Sequence, residues 1–174
     1  NIDINKGFGT PIRLLIDLPT EDNVFSVKVF SDNKKLLVAS SNNKGFMIPN
    51  MKSLLAHTKL GKNVLEIGKN GKLVVFKTIE DNDDHVAVIG DNHKLLIFNL
   101  SELPEQIRGK GVIFQKVKQG GLSDAKTFKY NDGIICLIGN SKKIFKDIKL
   151  WLGKRAQSGR LAPRGFPRSN RFNK

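Results

Sequence analysis

HVAVIGDNHKLLIFNLSELPEQIRGKGVIFQKVKQGGLSDAKTF, residues 85–128, is the stretch whose reading decides the fold. Its opening apolar run, Val86-Ala87-Val88-Ile89, is stopped by Gly90-Asp91-Asn92-His93, the pattern of a strand entering a tight turn. Leu95-Leu96-Ile97-Phe98 makes a second strand. Ser101-Glu102-Leu103-Pro104-Glu105 is a short polar connection, and Arg108-Gly109-Lys110-Gly111 sets two cations between glycines just ahead of a third strand, Val112-Ile113-Phe114. The order is strand, turn, strand, basic loop, strand.

The unit recurs on both sides of itself. A shift of fifty positions lays Val38 on Val88, Asn42 on Asn92, Lys44 on Lys94, Phe46 on Leu96 and Ile48 on Phe98. A shift of forty-eight the other way lays Asn92 on Asn140, Lys94 on Lys142, Leu96 on Ile144 and Leu100 on Ile148, behind the run Ile134-Ile135-Cys136-Leu137-Ile138. The basic loop repeats as well, since Gly61-Lys62 before Val64-Leu65 matches Gly109-Lys110 before Val112-Ile113. A period near fifty with several strands per unit indicates propeller-like blades or a β-solenoid. Three units are countable, the last incomplete.

The remaining chain fits an all-β reading. Residues 1–9 are polar and turn-like, residues 11–18 and 24–30 read as strands, and residues 49–60 as a connection with a helical turn. Gly68-Lys69-Asn70-Gly71 reads as a hairpin from its Asn-Gly pair. Phe25, Phe30, Phe46, Phe76, Phe98, Phe114, Phe128 and Phe145 fall in or beside strands and are expected in the core, as large apolar residues normally are. Strands that are apolar without clean alternation suit sheets covered on both faces.

Composition bounds the function. The chain has 174 residues, 39% of them apolar, enough for one domain with a real core. Its single cysteine, Cys136, permits no internal disulfide and suits a reduced, cytoplasmic setting. No apolar run approaches the ~18 residues of a spanning helix, no signal-peptide zones are visible, and a soluble piece of a longer polypeptide is expected. Thirty Lys and Arg against sixteen Asp and Glu leave a net charge of +14, which points to a polyanionic partner. Nothing acidic follows Asp147, so Lys154, Arg155, Arg160, Arg164, Arg168, Arg171 and Lys174 supply half of that excess.

Catalytic chemistry is not visible. His57, His85 and His93 have no ligands at zinc spacing, and in the run starting at Asp81 the sixth position is Val86 and the twelfth Asn92, where a calcium loop needs Gly and Glu. No phosphate-binding G-x-x-x-x-G-K-[ST] occurs. No catalytic residue, metal or cofactor is assigned to the chain.

The segments KLLVASS (35–41), GFMIP (45–49), HVAVIG (85–90), KLLIFNLSELPE (94–105), RGKGV (108–112), GGLSDAKTF (120–128) and WLGKRAQSGRLAPRGFPRSNRF (151–172) closely resemble the C-terminal DNA-binding domain of the A subunit of bacterial DNA topoisomerase IV, a relative of the gyrase A subunit. The resemblance runs over essentially the whole chain. It implies a β-pinwheel, in which four-stranded blades exchange strands and duplex DNA lies along a basic rim. It also implies a parent that is an ATP-dependent type II topoisomerase, with an N-terminal cleavage core and a B subunit in an A2B2 assembly. ATP, Mg and the tyrosine nucleophile would then lie outside this chain, in a cytoplasmic, chromosome-associated enzyme. The Q-R-R-G-G-K-G box of the gyrase relative has no full match, Arg108-Gly109-Lys110-Gly111 being the nearest, which implies DNA binding without gyrase-style wrapping.

Under this reading, residues 1–152 are pinwheel blades forming a partial ring of about three repeats, the first and last incomplete, and residues 153–174 are a basic tail. Glycine-flanked cations let a loop approach phosphates closely, which makes Arg108 and Lys110, with Lys59 and Lys62 in the matching loop, candidate DNA contacts. Lys116, Lys118 and Lys126 are further candidates that also suit an ordinary charged strand face. Lys154, Arg155, Arg160, Arg164, Arg168 and Arg171 complete the set; Trp151, Leu152, Leu161, Phe166 and Phe172 are the few residues able to dock the tail. Lys44, Lys94, Lys142 and Lys143 sit at hairpin tips, where lysine is common for solubility. A basic β-repeat for RNA or an acidic protein is the alternative, and the charge also suits peripheral association with an anionic membrane.

Overall fold

Two hairpins fifty residues apart form the centre of the molecule. The computed structural model describes residues 11–173. In it β1 (Lys35–Ser40) pairs with β2 (Lys44–Ile48), and, beyond β3 (Leu73–Ile79), β4 (His85–Gly90) pairs with β5 (Lys94–Asn99). Each hairpin turns through one residue in the left-handed region, Asn43 at φ 63° and His93 at φ 58°, two of the side chains that tolerate it best. The chain continues through β6 (Val112–Ile113), β7 (Leu122–Phe128) and a third hairpin of β8 (Ile134–Ile138) and β9 (Ser141–Phe145), and ends with β10 (Arg160–Leu161).

The strand orders are β3-β1-β2-β6 and β10-β5-β4-β7. Each blade is therefore closed by a strand reached only after the chain has built the next hairpin, and this exchange makes the fold a β-pinwheel. Alternate residues of one hairpin serve two cores: Val86, Val88, Leu96 and Phe98 pack toward the first blade, and Ala87, Ile89, Leu95 and Ile97 toward the third hairpin. With both faces buried, the strands are apolar throughout. Phe98 and Phe114 meet edge-on at 6.2 Å in the inter-blade core.

Residues 24–30 form no strand, and residues 11–18 hold instead one helical turn, α1 (Ile12–Leu15). A strand needs a neighbour for its backbone groups. Residues 24–30 stand 49 positions before β3, but among the described residues no strand pairs with them. Phe25 and Phe30 are accordingly half exposed rather than in the core. Phe46, Phe98, Phe114 and Phe128 are buried, and Phe76 and Phe145 partly so. Gly68 to Gly71 is a tight turn, N–H to carbonyl 2.8 Å, but the segments flanking it do not pair as a hairpin. The turn expected at residues 1–9 lies outside the described residues.

Residues 153–173 pack on the blades. β10 lies along β5, and the Trp151 indole N–H donates to the Leu161 carbonyl at 2.8 Å. Phe166 and Phe172 are buried, whereas Leu152 and Leu161 face solvent. No helix of the described residues is long and apolar enough to cross a membrane.

Candidate nucleic-acid interface

The basic loops are shaped by glycines that the packing demands. A Cβ on Gly111 (φ +68°) would stand 2.4 Å from the Gly45 carbonyl oxygen, and one on Gly159 (φ +72°) would stand 2.4 Å from that of Leu95, the equivalent residue of the next blade. With the backbone pressed on the neighbouring strand, the side chains point outward. Arg108 is 64% exposed, its Nε 3.9 Å from a Glu66 carboxylate oxygen, and Lys110 is exposed beside it. The matching loop lies alongside, because the Gly109 N–H donates to Val64 (3.0 Å) and the Glu66 N–H to Gly109 (2.9 Å). Lys62 in that loop turns back to donate to the Ser53 carbonyl at 2.8 Å, while Lys59 is exposed.

Three neighbouring clefts share lining residues and connect the cations. Lys110 and Lys44 line the first with Glu66 and Gly68. Lys44 continues into the second with Lys116 and Lys118. Those two lysines then line the third, with Trp151 and Arg160. The strip from Lys110 to Arg160 thus crosses from the first blade to the second and brings together Lys44 and Arg160, which lie far apart in the sequence. The hairpin tip holding Lys44, a position where lysine also suits solubility, joins the first two clefts.

Other candidates lie elsewhere. Lys126, on β7, is half buried, donates to the Ile135 carbonyl at 3.0 Å and lines a separate cleft with Lys28, Lys77 and Lys129. Burial pushes its ammonium below the ordinary lysine pKa. Arg155 is half buried and braces β6, its guanidinium donating to the Ile113 carbonyl at 2.8 Å and its backbone N–H to Glu102 at 2.9 Å. Lys154 is exposed; Arg164 is exposed just ahead of the buried Phe166, and Arg168 and Arg171 are exposed between Phe166 and the buried Phe172. Among the described residues no three His, Cys, Asp or Glu side chains group as metal ligands.

No protein-family model matches the chain. The fold defines a class, the β-pinwheel domains. The chain superposes on the E. coli ParC C-terminal domain with a TM-score of 0.79 at 26% identity, covering 94% of this chain and 69% of that one. The DNA gyrase A C-terminal domain shares the fold, with a TM-score of 0.66 at 19% identity over 86% of this chain and 51% of that one. In sequence, the DNA topoisomerase 4 A subunit of Rickettsia bellii is 39% identical over 173 residues, 99% of this chain and 23% of that protein. Its Caulobacter vibrioides counterpart is 38% identical over 168 residues, 96% of this chain and 22% of that protein. The chain belongs to the family of C-terminal domains of the DNA topoisomerase IV A subunit, and it spans less than a quarter of the length of these curated relatives.

Proposed function

We propose that this chain binds double-stranded DNA without base readout and presents it to a type IIA topoisomerase core as the transported segment, for supercoil relaxation and decatenation. The observation that carries the reading is the continuous strip of Lys110, Lys44, Lys116, Lys118 and Arg160 across two blades. Solvated, flexible cations on glycine-shaped loops suit phosphates, whose contacts fix position and carry no sequence information. In this reading the partners are the cleavage core of the same polypeptide and, in an A2B2 enzyme, a B subunit, with ATP and Mg bound outside this chain. It acts on the chromosome in the cytoplasm.

The test is duplex binding by the wild-type chain and by an Arg108→Ala, Lys110→Ala double variant, using several unrelated sequences, with structured RNA and an acidic polypeptide as competitors. Affinity should fall about equally for every duplex, and duplex DNA should be the strongest competitor. A loss confined to one sequence would mean base readout; preferential displacement by RNA or by the polypeptide would replace DNA as the partner.

A further inference from the structure

A lysine recurs at positions 28, 77 and 126, a spacing of 49 residues each time. Lys77 on β3 stands opposite Leu37, and Lys126 on β7 stands opposite Ala87, the same rung of successive blades. By the same spacing, Lys28 occupies the corresponding position in residues 24–30, which form no strand. Each reaches the unit that follows it in the chain. The Lys28 ammonium lies 5.7 Å from the centre of the Phe76 ring on β3. That of Lys77 meets Asp124 on β7 at 2.5 Å and lies 5.8 Å from the Phe172 ring. That of Lys126 donates to the Ile135 carbonyl on β8 at 3.0 Å.

The partners differ chemically, a ring face, a carboxylate and a carbonyl, but each presents negative charge density at the reach of a lysine stem. Within a blade the strands are fixed by backbone hydrogen bonds. Between blades the packed faces are mainly apolar, and apolar packing is non-directional; direct backbone bonds such as that from the Leu122 N–H to the Ser41 carbonyl at 3.0 Å are few. A charge-assisted bond across that gap adds direction. Asp124 shows how much is tied together: buried, it accepts from Lys77 and the Ala125 N–H on one oxygen and from the Phe172 N–H on the other, so three successive units meet at one carboxylate. Lys126 is held half buried facing a neutral carbonyl, against a desolvation cost that a lysine on the outer surface would not incur.

We propose that this recurring lysine is an inter-blade latch: it fixes the angle between successive blades and, through it, the curvature of the cationic strip. The last step rests on the DNA-binding reading above; the latch itself does not.

The test uses nitroxide pairs placed at exposed positions of successive blades, Lys69→Cys with Gln119→Cys and Gln119→Cys with Lys142→Cys on β9, with Cys136 left in its buried position. Lys126→Met leaves no buried charge behind and should broaden the distances between 119 and 142. Lys77→Met combined with Asp124→Asn should broaden those between 69 and 119, whereas Lys118→Met should broaden neither. Lys126→Gln, too short to cross, should act as Met does and serves in its place if the Met variant melts without cooperativity. Distributions that superimpose on the wild type would overturn the latch. With a duplex labelled at both ends, latch variants should show a changed bend at an unchanged salt slope; an unchanged bend would overturn the link to curvature. Failure of the wild-type chain to bind duplex would remove the DNA reading and leave the distance result to decide the latch.

Discussion

The N–H of Leu137 donates to the carbonyl of Phe172 across 2.8 Å, on the edge of β8 that corresponds to the edges of β1 and β4 taken by β3 and β7. The Phe172 N–H donates in turn to Asp124 at 3.0 Å, and its ring meets Phe166 edge-on at 5.5 Å. The last described residues therefore stand in for a flanking strand on the third hairpin. Phe172→Ala should cost about 3–5 kcal/mol, as for other fully buried rings, a large part of an ordinary folding free energy. Urea melts of the two chains give the difference; one below about 1 kcal/mol would mean that the ring is not packed in solution.

Docking of the C-terminal segment changes how its charge is to be tested. Removing it whole would also remove β10 and two core phenylalanines, so the arginines must be changed in place. Arg164, Arg168 and Arg171 are exposed, and the triple alanine variant should keep its fold. Each phosphate neutralised contributes about −0.9 to the slope of log affinity against log salt, so losing three contacts would flatten it by roughly 2.7. An unchanged slope would confine the DNA path to the strip between Lys110 and Arg160.

Gly111 and Gly159 make the same approach to successive blades, and alanine should be harmful at both. The left-handed backbone strains any L side chain, and the Cβ has only backbone to displace. Gly111→Ala should detach β6 from β2, and Gly159→Ala should detach β10 from β5; amide hydrogen exchange of Gly45 in the first variant and of Leu95 in the second should report each loss. Gly61→Ala is the control. It shares a positive φ (+76°), but no atom lies within 4 Å of its Cβ, so it should be the mildest.

The repeat made the hairpins legible, because Val38 and Val88, and Asn42 and Asn92, occupy equivalent positions around identical turns. It did not show which edges were filled. Residues 24–30 have strand composition, but among the described residues no strand lies beside them to pair with. Arg160 and Leu161 look like tail text because β10 is two residues long and is defined by its neighbour. Lysines were the least legible. Lys126 and Lys110 were both candidate DNA contacts in the sequence, and only the packing shows one bound across a blade boundary and the other in solvent.

Cys136 gives a pH-dependent prediction. Burial pushes its thiol up from 9.0 to about 11, with nearby Lys126 acting the other way. Between those values the unfolded chain has lost the thiol proton and the folded chain has kept it. The folded state then binds more protons, and this contribution to stability, whole below pH 9.0, is lost as pH rises toward about 11. Lys126 works in the opposite sense over part of the range, because its lowered pKa releases a proton from the folded chain first. Comparison with Cys136→Ala isolates the thiol, since both chains keep Lys126. The stability difference between wild type and variant should move against the wild type by at most about 2–3 kcal/mol from pH 9 to 11, at about 1.4 kcal/mol for each tenfold change in proton affinity. Iodoacetamide at pH 8 supplies a second reading: a thiol held near that value is thiolate to roughly one part in a thousand, so alkylation should be slow until urea unfolds the chain. Parallel stability curves together with fast alkylation of the native chain would place Cys136 in solvent rather than between the second blade and the third hairpin.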